Sequence, residues 1–115
     1  MTGFERFEVL TALFPFVDVP VRKPRPVLVM STGAFNTLHG HVIVAMITTG
    51  AESQWPSDSV ILDLAAAGLK HRSVIRWKVF TLPISAIGRR IGTLAHGDRL
   101  AFEAACRTTL SGGAG

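Results

Sequence analysis

Apolar and polar residues alternate most regularly between Arg72 and Leu82. Ser73, Ile75, Trp77, Val79 and Thr81 fall on one side of an extended chain, and Arg72, Val74, Arg76, Lys78 and Phe80 fall on the other. The pattern predicts a strand with cations along one face and the core against the other. Arg6 to Phe14 predicts a first strand, with Phe7, Val9, Thr11 and Leu13 on one face and the second face turning apolar toward Phe14. Val27 to Ser31 and Val42 to Thr48 are short apolar runs rich in β-branched residues, the pattern of strands covered on both faces. Arg89 to Leu94 predicts a further strand. Gly97 to Leu110 predicts a helix begun by Asp98, with Leu100, Ala101, Ala104, Ala105 and Thr108 as its inward stripe.

The segments between these runs are punctuated by turn and loop residues. Pro15, Pro20, Pro24 and Pro26 exclude regular structure from most of the stretch after the first strand, which reads as an extended loop. Thr32 to Gly40, with Gly33, Asn36 and Gly40, reads as a turn containing one helical turn. Residues 57–68 allow a helix capped by Ser57 and Asp58, or a strand over Ser59-Val60-Ile61-Leu62 followed by a short Ala-rich turn ending at Gly68; the second reading is favoured. Pro83 to Ile87 reads as a short helical turn. Together these elements predict a mainly β fold: a small, curled, predominantly antiparallel β-barrel with short helices and a C-terminal helix. It is expected to form a single domain over residues 1–110, with 111–115 as a flexible C-terminal tail.

Composition narrows the function class. The chain has 115 residues, 48% of them hydrophobic and 17% charged, enough to build a core without disulfides. No apolar run approaches the roughly 20 residues that span a bilayer. Met1 to Glu8 carries acids and no apolar stretch, so no secretory signal and a cytoplasmic location are expected. Cys106, the single cysteine, sits between small residues and reads as a buried helix position. The net charge of +4 is unevenly placed: between Asp63 and Asp98 there is no carboxylate, while Lys70, Arg72, Arg76, Lys78, Arg89 and Arg90 fall in that interval. A field of one sign favours a polyanionic partner.

Two stretches concentrate groups able to hold a phosphodiester. Lys23-Pro24-Arg25-Pro26 is a basic, proline-stiffened loop at the mouth of one apolar strand, and Thr48-Thr49 places hydroxyls at the far end of the next. A guanidinium offers a planar fork of donors to phosphate oxygens. Thr48 and Thr49 face opposite ways if the strand continues, so one of them serves a common site. Arg22 and Lys23 share the loop with Arg25, and Arg76 and Lys78 stand roughly 7 Å apart on one strand face. His39 and His41 are candidate proton acceptors by residue type, although exposed turn histidines are more often bystanders. Trp77 reads as core. Trp55 lies in the polar run Glu52-Ser53-Gln54-Trp55-Pro56-Ser57, where it either stacks on a base or covers the barrel end. Neither a metal-ligand spacing nor a Gly-rich phosphate loop is present, so no metal and no cofactor are expected.

Phe14-Pro15-Phe16-Val17-Asp18, Lys23 to Ser31, Ala45-Met46-Ile47-Thr48-Thr49, Gly68-Leu69-Lys70, Ser73-Val74-Ile75-Arg76 and Val79-Phe80-Thr81-Leu82 resemble, in order and spacing, the MazF/PemK family of toxin endoribonucleases from type II toxin-antitoxin systems. The resemblance covers roughly residues 6–110. It implies an SH3-like barrel of the kind shared with CcdB, usually a homodimer, that cuts single-stranded RNA without a metal and is held by a cognate antitoxin protein. It also implies that Arg25 and Thr48 are the catalytic pair; beside them Arg22, Lys23, Ser31, Thr49, Arg76 and Lys78 are the expected substrate-binding set. The chain departs from the family where the first strand opens with Phe7-Glu8 instead of Gly-Asp, and it lacks an acid within Arg76-Trp77-Lys78. Two other readings stand beside this one: a CcdB-type toxin that binds a topoisomerase, and a catalytically silent RNA-binding relative.

Overall fold

The structure, a computed structural model, describes residues 3–14, 23–50 and 55–112. Arg22, most of the proline-rich loop and the last three residues of the expected tail lie outside the described residues. The elements in chain order are β1 (Glu8–Ala12), β2 (Arg25–Val29), α1 (Gly33–His39), β3 (His41–Thr49), β4 (Ser59–Val60), α2 (Leu64–Ala67), β5 (Ser73–Pro83), a 3-10 turn (Ile84–Ala86), β6 (Ile87–Thr93) and α3 (His96–Leu110). The strands form one antiparallel sheet in the order β4-β5-β3-β2-β1-β6.

The sheet curls because both faces of its central strands are apolar. Val9, Leu28, Ala45, Ile47 and Ile75 join one cluster with Ile61, Ala67, Leu94 and Phe102. Leu10, Ala12, Val27, Val29, Val42, Val44 and Leu82 join a second with Phe14 on the opposite face. Each buried side chain of this size contributes about 1.5–3 kcal/mol. Closure comes from the chain following β4: leaving one edge of the sheet, it crosses to the other, where α2 seats on β6. The seat requires glycine on both sides. A Cβ at Gly92 would meet the backbone of Ala66 and Ala67, and one at Gly68, whose φ is +73°, would meet the Ile91 carbonyl. The mainly β, barrel-like expectation therefore holds, while within residues 57–68 the strand is limited to Ser59–Val60 and the Ala-rich turn is the one-turn helix α2, closed by Gly68.

Two local expectations are corrected. Thr32 to Gly40 is a seven-residue helix, α1, rather than a turn containing one helical turn. The Thr32 hydroxyl accepts from the Phe35 N–H, and Gly40, at φ 62°, closes the helix in the left-handed region. The inward face of α3 is also different. Leu100 is 53% exposed, and Ala101, Ala104 and Thr108 are exposed, whereas Asp98 and Phe102 are buried. Phe102 stacks on Trp77 at 5.4 Å between ring centroids, and Asp98 accepts the Leu62 and Asp63 N–H groups at 3.0 Å each. A large aromatic contact and two otherwise orphaned backbone donors outweigh a stripe of alanines. Asp98 thus ties α3 to the closing segment and is not the cap, since Ala95 holds that position.

Phe7 has a φ of +74°, a left-handed conformation that costs a residue with a Cβ about 1–2 kcal/mol. Its ring lies 4.5 Å from the Arg6 guanidinium and 5.4 Å from that of Arg99, contacts that offset the strain. Glu8 pairs with Arg90 of β6, so the departure from Gly-Asp is absorbed locally.

Candidate active site

β2 begins at Arg25 because the flanking prolines fix its entry, and the apolar run Val27-Leu28-Val29 pairs with β3 as Val27↔Met46, Leu28↔Ala45 and Val29↔Val44. Continuing this register sets Pro26 across from Ile47 and Arg25 across from Thr48. Directly opposed residues share a face, with Cα atoms about 4.5–5.5 Å apart. Arg25 and Thr48 therefore stand side by side at one end of the sheet, on the face of the second apolar cluster. On its other side Arg25 pairs with Ala12 of β1, whose methyl leaves room for a long side chain. Arg25 is exposed and Thr48 partly so, and neither side chain has a hydrogen-bond or ionic partner among the described residues.

The remaining predicted residues are distributed unevenly. Lys23 is exposed just before Arg25. Thr49 is exposed, alternates to the face opposite Thr48, and lines a cleft of about 570 Å³ with Gly50, His71 and Arg72. The cleft opens where the Gly50 N–H donates to the Arg72 carbonyl at 3.1 Å. Arg72 belongs to the basic interval of the sequence, but only the pairing of β3 with β5 sets it and His71 beside Thr49.

Ser31 does not join the group. It follows β2 at the far end from Arg25, about 20 Å away at strand rise, and is 8% exposed. Its hydroxyl donates to the buried Asn36 Oδ1 and accepts the Ile43 N–H at 2.9 Å, while Asn36 Nδ2 donates to the Phe4 carbonyl at 3.0 Å. The hydroxyl is fully used in anchoring α1 to the sheet.

Nor do Arg72, Arg76 and Lys78 form a row of free cations. Arg72 precedes β5. The register passes from Met46↔Arg76 to Ala45↔Val79, which leaves Trp77 and Lys78 as a bulge without partners on β3. Lys78 is exposed there. Arg76 donates from Nε to Asp58 Oδ1 at 3.1 Å and from Nη2 to Asp58 Oδ2 at 2.8 Å, a fork-to-fork pair whose side chains are 14% and 1% exposed. The hydrogen bond to Asp58 raises the guanidinium pKa above its ordinary value. The sequence offered Asp58 only as a helix cap, 18 residues away from its actual partner. His39 and His41 are exposed at the α1–β3 junction, where a ring nitrogen of His41 lies 2.8 Å from the His39 carbonyl. That junction is at the end of β3 remote from Thr48.

A curled antiparallel sheet with a C-terminal helix is also the fold of solved MazF toxins. Mycobacterium tuberculosis toxin MazF-mt6 superimposes with a TM-score of 0.70 at 25% identity, covering 88% of this chain and 93% of that one. An endoribonuclease in complex with its cognate antitoxin, from a mycobacterial species, gives 0.71 at 18% identity over 94% and 93%. MazF from Deinococcus radiodurans gives 0.71 at 16% over 91% and 94%. No curated protein matches the chain in sequence. The family profile described as PemK-like, MazF-like toxin of type II toxin-antitoxin system matches residues 5–109, and the chain belongs to that family.

Proposed function

We propose that this toxin is a metal-independent endoribonuclease that cuts single-stranded RNA between Arg25 and Thr48. The reading is carried by the β2–β3 register, which, continued two residues beyond Val27↔Met46, sets the Arg25 guanidinium and the Thr48 hydroxyl on one face. In the reaction the substrate's 2′-hydroxyl attacks the adjacent phosphorus. The P–O5′ bond breaks, leaving a cyclic phosphate and a 5′-hydroxyl. Arg25 binds the non-bridging oxygens and stabilises the charge that accumulates there. Thr48, restricted to few rotamers by its β-branch, donates to a phosphoryl oxygen or orients the attacking hydroxyl. An arginine stays protonated throughout, so the 2′ proton passes to solvent or to another base.

Lys23 and Lys78 contact the strand on either side of the cut. The family match favours this reading over a topoisomerase-binding toxin of the CcdB type. The family also supports a homodimer and a cognate antitoxin whose acidic, flexible segment covers the same basic surface. The test is incubation of purified protein with a long RNA in chelator, followed by mapping of the new ends. Wild type leaves 5′-hydroxyl ends at defined positions. Arg25→Ala, folded as judged by circular dichroism, lowers kcat by about 10²–10³-fold, the cost of losing one oxyanion donor. Undiminished cutting by that variant refutes the assignment.

A further inference from the structure

We propose that Trp55 is a base-stacking shelf for a nucleotide flanking the scissile phosphate, with Arg76 and Asp58 as the positioning residues that hold it; the inference rests on the ribonuclease reading above. Trp55 is 39% exposed, and the Arg76 guanidinium lies 5.3 Å from the centroid of its ring. That is cation–π range. Asp58 fixes both partners. Its carboxylate takes the two guanidinium bonds and the Trp55 N–H at 3.4 Å, while its own N–H donates to the Trp55 carbonyl at 3.0 Å. The turn carrying the indole is thereby clamped to β5.

The clamp stands close to the reacting pair. Arg76 is paired with Met46, two residues along β3 from Thr48, so its Cα is about 7–8 Å from that of Thr48. Strand spacing and rise place it about 12 Å from Arg25. The chemistry of the shelf selects a base rather than a phosphate: Asp58 already neutralises Arg76, and the remaining recognition surface is an indole. Aromatic stacking tolerates any base, because every base has a π-face. The shelf therefore contributes affinity without identity.

Short RNA substrates containing the cleavage site, with an abasic nucleotide placed on one side of the cut or the other, test this. Trp55→Leu is expected to raise KM roughly 5- to 150-fold with kcat little changed. Trp55→Phe recovers most of the loss. For wild type, one abasic position costs the same factor, and in Trp55→Leu that position costs nothing further. Arg76→Lys keeps the charge but loses the fork to Asp58, and it shrinks the abasic penalty. An unchanged KM in Trp55→Leu, or penalties that multiply, overturns the inference while the nuclease reading stands. If RNA is not cut at all, the nuclease reading fails, and tryptophan fluorescence titrated with a 2′-deoxy oligonucleotide decides the shelf. Quenching by the intact but not the abasic strand supports it, and equal response to both overturns it.

Discussion

Replacing Ser31 with alanine separates a structural hydroxyl from a substrate-binding one. The change leaves the Asn36 carbonyl oxygen and the Ile43 N–H without partners in a region where Asn36 is fully buried. Each orphaned group costs about 1–3 kcal/mol, so the pair costs about 2–6 kcal/mol. For a domain of this size about 1 kcal/mol shifts Tm by some 4 °C, giving a fall of about 8–24 °C. With a urea m-value near 2 kcal/mol per molar, the unfolding midpoint drops by about 1–3 M. Both melts are run at one fixed protein concentration, so that any association weighs on them equally. Cleavage by the folded fraction, measured well below the new Tm, is expected to stay within about threefold of wild type, since Ser31 sits about 20 Å from Arg25. An unshifted melt together with a tenfold or greater loss of kcat/KM refutes the reasoning and returns Ser31 to the substrate.

Gly68→Ala is expected to destabilise by more than about 2 kcal/mol, because left-handed strain adds to a collision with the Ile91 carbonyl. Gly40→Ala, at φ 62° with nothing within 4 Å of the new Cβ, costs only about 1 kcal/mol, and parallel urea melts compare the two. Cys106 has a raised pKa, chiefly from burial and against the pull of Arg6, so the folded protein reacts with a thiol reagent more slowly at pH 8 than the urea-unfolded chain. The same shift makes the unfolded state release its proton first. Stability is therefore intact below the ordinary thiol pKa and falls as pH rises through the folded value, a slope that Cys106→Ala removes in alkaline melts.

Arg25 and Thr48 were legible as candidates because one opens and the other closes a short apolar run of β-branched residues. Such runs pair in a register fixed by keeping their apolar faces buried, and a slip of one residue would turn every side chain over. Ser31 looked equivalent in the sequence, since a hydroxyl at a strand end reads the same whether it meets substrate or a buried asparagine. The cations of β5 were read as a row from alternation alone, which carries no information about a bulge at Trp77 and Lys78 or about Asp58 arriving from another element. The alanine stripe of α3 failed similarly, because Trp77 and the N–H groups of Leu62 and Asp63 chose the face.

Local pattern by itself determined the strands, the final helix and the mainly β class, because alternation and proline placement act within a few residues, whereas the pairing of Arg25 with Thr48 was drawn from the family resemblance. Tertiary structure alone decided which cations are free and which are clamped, where the barrel closes on Gly68 and Gly92, and which side of α3 faces inward. Those outcomes turn on contacts between residues far apart in the chain, and a hydrogen bond or a steric seat of that kind leaves no mark on the sequence of either partner.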